Sequence, residues 1–334
     1  MTTFKRARAA IALLAALVLA LAITACGSDG DDTSGGDSTS AETTATSSDT
    51  LIQENPDNNG VKLTIGSKNF TEQFILGEIY AQALEAAGYD VDTDLNLGSE
   101  QVALKALENG SISGYPEYTS TALTSFFKTA PEDVPGDAQA AVDETADQFA
   151  DLGLVPFAPT PFADANAVGL LTETADELGV STISDLEGKS EDLTLAGSPE
   201  CPQRIDCLAG LEQNYGLKFG KFTPIDIGLR YEVLDKGDAD LSILFTSDAQ
   251  LFVDPDQYTL LEDDKGVLPA GNVIFISDQK VADEAGPDYQ ATIEKVQEGL
   301  SLEVMQELNA RVDIDKEQPE DVAAQYLQES GYTE

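Results

Sequence analysis

Val61-Lys62-Leu63-Thr64-Ile65-Gly66-Ser67-Lys68-Asn69-Phe70-Thr71-Glu72-Gln73 reads as a strand, a turn and the first turn of a helix. Val61, Leu63 and Ile65 alternate with polar residues at the period of a half-buried strand. The helix then carries Ile75, Leu76, Ile79, Tyr80, Ala83, Leu84 and Ala87 on one side and is stopped by Gly88. A second unit repeats the scheme, with an alternating segment from Val91 to Leu97, Ser99 as N-cap, a helix bearing Val102, Leu104 and Leu107, and Gly110 as its stop. Strand-like stretches recur at 154–158, 167–171, 193–196, 241–245 and 273–276, with helical stretches between them and three more helices after Val281. Strands alternating with helices predict an α/β fold built on parallel sheets covered on both faces. About 270 ordered residues exceed one comfortable core, so two lobes are expected.

The N-terminus has a different grammar. Lys5, Arg6 and Arg8 precede an apolar run from Ala9 to Ala25, which ends in Ile23-Thr24-Ala25-Cys26-Gly27-Ser28. The run is short for a membrane span and is followed at once by polar residues. Small residues before a cysteine suit a lipoprotein signal peptidase, so residues 1–25 are expected to be a lipoprotein signal peptide and Cys26 the lipidated residue. An ordinary signal peptide with an incidental cysteine is the alternative. Residues 26–60, rich in Gly, Ser, Thr and Asp, carry eight acids and no base beyond Cys26 and are expected to form a disordered tether. A chain of that kind spans roughly 30 Å.

Composition excludes several functions. The chain has 18 basic and 61 acidic residues, a net charge of −43, and loses three more bases with the signal. Such a body is repelled by nucleic acid phosphates and by an anionic bilayer, leaving the lipid anchor as its membrane contact. There is no histidine, which removes His-based nucleophilic triads and His-ligated zinc. No enzyme, metal or cofactor is expected. With Cys26 lipidated, Cys201 and Cys207 remain in Glu200-Cys201-Pro202-Gln203-Arg204-Ile205-Asp206-Cys207. Outside the cytoplasm an even pair favours a disulfide, and Pro202 favours the turn that closes it, while a two-thiol metal pair is the competing reading.

Three stretches look chemical. Gly66–Gln73 joins a strand end to a helix start, where ligands of α/β sheets bind and anions are favoured, and Lys68 there is either a carboxylate partner or a solvated lysine. Gly114-Tyr115-Pro116-Glu117-Tyr118-Thr119-Ser120-Thr121 presents two tyrosines, whose faces hold cations. One of the two is expected to be core packing. The Cys201–Cys207 loop presents Arg204, a residue suited to gripping a carboxylate bidentately, or else a surface ion pair with Glu200 or Asp206.

Together, Ile65–Gln73, Gly98-Ser99-Glu100-Gln101 and Tyr115–Thr121 resemble the substrate-binding proteins of osmoprotectant importers for glycine betaine, choline and carnitine. Weaker similarity follows at Glu200…Arg204, Asp226-Ile227-Gly228-Leu229-Arg230-Tyr231, Phe245-Thr246-Ser247-Asp248 and Leu261-Glu262-Asp263-Asp264-Lys265. The resemblance implies a two-lobed periplasmic-binding-protein fold of type 2, crossed twice by the chain near Asp164 and Gly271. Residues 61–163 and 272–334 then form lobe 1 and 164–271 lobe 2, with the ligand in the cleft between them. It also implies an extracytoplasmic, monomeric receptor that delivers a zwitterionic or cationic small molecule to an ABC permease and its ATPase. By position Lys68, Thr121 and Arg204 match the carboxylate side, Tyr118 one wall of an aromatic box, and Phe245 another wall where a tyrosine is usual. Asp164 and Glu200 complete the expected lining. Asn166 and Gly271 stand where two further aromatic walls belong. Losing two desolvated cation–π contacts weakens binding by about 2–4 kcal/mol, so either another ring such as Phe162 fills the gap or the ligand is larger or less cationic than glycine betaine. A receptor for another zwitterion, or a sensory surface lipoprotein with the same fold, is the alternative.

Overall fold

The opening strand forms as β1 (Lys62–Gly66), with Leu63 and Ile65 buried and Lys62 exposed. The computed structural model describes residues 50–334. The expected signal peptide, the Cys26 lipidation site and most of the tether lie outside the described residues. After β1 comes helix α1 (Thr71–Ala86), which buries Ile75, Leu76, Ile79, Tyr80, Ala83 and Leu84. Gly88, at φ +100°, turns the chain back. Helix α2 (Glu100–Glu108) does begin after Ser99, but Ser99 makes no side-chain cap bond. Its buried face is Ala103, Leu104, Ala106 and Leu107, whereas Val102, expected inward, is 47% exposed.

Among the described residues, eleven strands form two sheets. With β2 (Asp90–Asp94), β3 (Gly114–Tyr118), β4 (Leu154–Pro156), β5 (Ala163–Asp164), β6 (Asn166–Leu171), β7 (Thr194–Gly197), β8 (Lys221–Pro224), β9 (Leu241–Phe245), β10 (Tyr258–Leu260) and β11 (Gly271–Asp278), the first runs β2-β1-β3-β11-β4, with β5 also on β11. The second runs β10-β6-β9-β7-β8. The expectation of parallel sheets is corrected. β1 is parallel to β2 and β3, and β7 to β8 and β9, but β11 is antiparallel to β3, β4 and β5, and β6 to β9 and β10. The reason is connection. A helical crossover returns the chain to the same end of the sheet and gives a parallel neighbour, whereas β6 and β11 enter directly from the other lobe and run away from the cleft.

Each lobe has its own apolar centre. Helix α1 packs on the helices Pro287–Gln297, Leu302–Asp313 and Pro319–Glu329, around Tyr80, Phe275, Tyr289 and Met305. The opposite face of that sheet holds Leu107, Tyr115, Phe149 and Ile274. The second lobe gathers Val168, Leu195, Leu211 and Leu241. β11 threads close to β3: a Cβ on Gly114 would stand 2.2 Å from the ring of Phe275.

Ordered contacts begin earlier than the composition suggests. The amide of Ile52 donates to Tyr332 O, that of Asn55 to Ala87 O, and the Asn55 and Asn58 side chains donate to Asp288 and Ala87 O. Residues 50–60 therefore lie on the first lobe instead of extending the tether, because asparagine amides there satisfy the helix-end carbonyl of Ala87 and the Asp288 carboxylate. No described helix is long and apolar enough to cross a membrane.

Cys201 and Cys207 are bonded to each other, with Cα atoms 5.2 Å apart, so neither thiol is available to a metal. Replacing both with serine is expected to lower unfolding free energy by about 2 kcal/mol through the freed loop entropy. Urea denaturation of the double variant measures this, and an unchanged midpoint would show that packing alone holds the loop.

Candidate functional site

Strands β1, β3, β7 and β9 end at the gap between the sheets, and β6 and β11 start there. Their terminal loops therefore converge on one space, as expected at the carboxyl ends of α/β strands. The result is a cavity of about 880 Å³, its open mouth included. Lys68 and Phe70 reach it from the β1–α1 loop, and Tyr118 and Thr121 from the end of β3. Asp164 and Asn166 come from the crossing between sheets, Glu200 and Arg204 from the disulfide loop, and Phe245 from the end of β9. All eight side chains expected at the site line this cavity.

Three rings, together with Ile225, Ile227, Ile243 and Pro269, form its apolar part. Phe70 stacks on Tyr118 with centroids 6.4 Å apart and meets Phe245 at 5.3 Å. Tyr118 donates its hydroxyl to Glu72 on α1. Burial and the charges of Glu72 and Asp164 push that phenol well above its usual range, so it remains a donor.

The cations are matched one by one. Lys68, 5% exposed, pairs with the buried Glu117, and its Nζ sits 4.5 Å from the centre of the Tyr118 ring. Arg204 clasps Asp206 bidentately at 2.9 and 2.6 Å and lies 3.8 Å from Glu100 across the cleft. Burial opposes ionisation of Asp206, but the guanidinium and the Thr124 hydroxyl at 3.0 Å outweigh it and hold the carboxyl below its usual range. Thr124 belongs to the π-helical turn Ala122–Phe126 in the first lobe, so this too is a contact between lobes. Arg230 pairs with Asp248 through two nitrogens, donates to Ile227 O, and lies 4.6 Å over the Phe245 ring.

Two buried carboxyls have no cation partner among the described residues. Glu72 accepts from Tyr118 and from Asn309 at 3.0 Å, and burial raises its pKa. Asp164 accepts from the Thr246 hydroxyl at 2.7 Å and the Ser247 amide at 2.9 Å. Burial, then the charges of Glu72 and Asp248, push it up to about 7 against those bonds.

Comparison with known proteins fits this geometry. Residues 61–329 match the substrate-binding domain of ABC-type glycine betaine transport systems. The chain belongs to that family. A glycine-betaine-binding protein of Pseudomonas aeruginosa is 34% identical over 80% of this chain and 87% of its own length. An ergothioneine transport permease/binding protein of Helicobacter pylori is 29% identical over 84% of this chain but only 48% of itself. A crystal structure described as a glycine betaine/carnitine/choline ABC transporter superposes with a TM-score of 0.63 at 26% identity, covering 80% of this chain and 98% of that one.

Within this family framework several expectations change. Phe162 does not fill the box; it is 3% exposed inside the first lobe's core. No aromatic side chain fits at Gly271, because a Cβ there would lie 2.3 Å from Ser120 Oγ. Asn166 does line the cavity but donates to Asp206 O at 2.9 Å, bracing the disulfide loop. Lys68 is not a solvated lysine, and Arg204's ion pair with Asp206 is buried. Neither is an unmatched cation awaiting a carboxylate. Tyr115, of the two tyrosines, is the core residue. Sequence reasoning missed Phe70 as a wall and Arg230 as a lining cation, although both stood in stretches already singled out. It also missed Glu72 and Glu117, whose roles depend on contacts between elements.

A carboxyl held above its unfolded value binds its proton more readily in the folded chain, so it costs stability as pH rises from about 4 towards 7. Asp164→Asn is therefore expected to gain on the native chain between pH 5 and 7.5, by at most about 1.4 kcal/mol per pH unit. Urea denaturation at both pH values tests this, and a constant difference would mean that Asp164 ionises as it does in the unfolded chain.

Proposed function

We propose that this chain is the extracytoplasmic solute receptor of an ABC importer and binds a quaternary-ammonium osmolyte of the glycine betaine, choline or carnitine class. The observation that carries the reading is the trio Phe70, Tyr118 and Phe245 lining a cleft between two sheets. Aromatic faces bind quaternary ammonium without hydrogen bonds, with about 2 kcal/mol or more where desolvated. The cleft-lining side chains Lys68, Tyr118, Thr121, Asp164, Asn166, Glu200, Arg204 and Phe245 belong to this binding surface, joined by Phe70 and Arg230.

The two lobes, 61–163 with 272–334 and 164–271, close over the solute by bending where β5 and β11 pair through Asp164 and Gly271. The closed monomer hands the solute to a permease driven by an ATPase. A signal peptide over residues 1–25 exports the chain, and a lipid on Cys26 holds it at the membrane; the basic start, the apolar run and the placement of that cysteine support this. Binding and release need no chemistry on the solute, and the curated relatives are named for binding and transport. The relative named for ergothioneine favours a second reading, a receptor for a bulkier betaine.

Calorimetry with choline, glycine betaine, carnitine and ergothioneine decides the class. Heat of binding with at least one of the first three supports the osmolyte reading, ergothioneine alone supports the second, and silence with all four removes both. Tyr118→Ala is expected to weaken a quaternary ammonium solute about ten-fold or more; unchanged affinity would place the ammonium elsewhere.

A further inference from the structure

The two chain crossings are not all that joins the lobes. The helix Leu302–Asp313 belongs to the first lobe, where Met305 and Leu308 enter the core around α1, yet it also packs on the short helix Ala249–Val253 of the second. Asn309 shares the buried face of Met305 and Leu308, a position that ordinarily takes an apolar side chain. A buried amide costs free energy unless it is hydrogen-bonded. Asn309 is 3% exposed, and its one amide nitrogen donates to Glu72 of α1 at 3.0 Å and to Ser247 O at 3.0 Å. One turn earlier on the helix, Gln306 donates to Thr246 O at 3.0 Å.

Both of those carbonyls lie in the loop after β9, and the other side of that loop is tied to the outgoing crossing. The Thr246 hydroxyl donates to Asp164 at 2.7 Å and accepts from the Ala165 amide at 3.0 Å, while the Ser247 amide donates to Asp164 at 2.9 Å. On either side of Thr246 and Ser247 stand Phe245, a ring of the cleft, and Asp248, the partner of Arg230. On the first lobe, Glu72 receives the hydroxyl of Tyr118, another ring of the cleft. Asn309 therefore links the support of one ring to the support of the other, although it does not itself line the cavity. An apolar residue of similar size would fill its space but leave a buried carboxyl and a buried carbonyl each short of a donor.

We propose that Asn309 is a positioning residue for solute capture: its two donated bonds hold the lobes where Tyr118 and Phe245 face one solute, without touching that solute. The inference rests on the solute-receptor reading above and goes beyond it by assigning a role in affinity to a residue outside the cleft.

Calorimetric titration with choline, glycine betaine, carnitine and ergothioneine, at pH 5.5 and 8, tests it on the native chain, Asn309→Leu and Asn309→Asp. Asn309→Leu is expected to weaken whichever solute the native chain binds by about ten-fold at both pH values. Asn309→Asp is expected to weaken it by at least as much at pH 8, where two facing carboxylates repel, and to recover about three-fold or more at pH 5.5, where a shared proton restores one bond. Taking each value relative to the native chain at the same pH removes the titration of Asp164 and Asp248, which also face Glu72. Native affinity in Asn309→Leu overturns the positioning role and leaves the receptor reading standing. An equal loss at both pH values in Asn309→Asp reduces Asn309 to a packing residue and overturns the role as well. A native chain that binds none of the four solutes removes the receptor reading and this inference with it. If neither Asn309 variant folds, Gln306→Ala decides: about three-fold weaker binding supports the link through this helix, and unchanged binding overturns it.

Discussion

The first sheet cannot be completed until the chain has travelled through the second and come back. β11 lies between β3 and β4 and also pairs with β5, so the middle of one lobe is built from chain on either side of the other. This single return sets much else. It places Phe275 against Tyr80, Phe157 and Tyr289, and it demands that Gly114 carry no side chain where β3 passes that ring. It also sets the outgoing and returning crossings side by side, Asp164 against Gly271. Both connections between the sheets therefore pass side by side through those residues. They are also cleft residues, or next to them.

A strand that begins at the cleft and runs away from it has its first residue there, while a strand that runs towards the cleft contributes its last. Phe245 and Asn166 are such a pair, opposite one another in register. Tyr118, paired with Val273 at the end of β3, is their counterpart on the first sheet, so the cleft is lined from both lobes by residues placed by sheet hydrogen bonds. The helix Leu302–Asp313 reinforces this from behind, since Asn309 bonds both to Glu72 and to Ser247 O, and Gln306 donates to Thr246 O. These contacts tie the wall that bears Tyr118 and Glu72 to the loop that holds Asp164.

Electrostatics then decides the character of the space. Buried ions are tolerated when paired and hydrogen-bonded, and every lining cation here meets that condition using a carboxylate from the protein itself. The aromatic faces share this economy, because Tyr118 already lies beneath the Lys68 ammonium and Phe245 beneath the Arg230 guanidinium. What distinguishes the cleft is therefore the surplus of carboxyls left after pairing, of which Asp164 and Glu72 are the most enclosed.

Much of this was legible in the linear chain. The periodicity of Val61–Ala87 dictated a strand and a helix, the loop between them held Lys68 and Phe70, and the stretches at 115–121, 200–207 and 245–248 identified the remaining walls. Local pattern carries that information because strand and helix periods, and the residues at strand ends, are properties of neighbours in sequence. The pattern did not give strand direction, since crossover or direct entry depends on which lobe comes next. Nor did it give partners. Whether Arg204 meets a solute or Asp206, whether Phe162 enters the cleft or the core, and whether Gly271 leaves room for a ring are settled by atoms brought together from distant segments. The sequence by itself determined most of the elements, the acidity and many of the residues that reach the cleft; the tertiary structure alone decided which charges are already matched, because pairing is a property of distance.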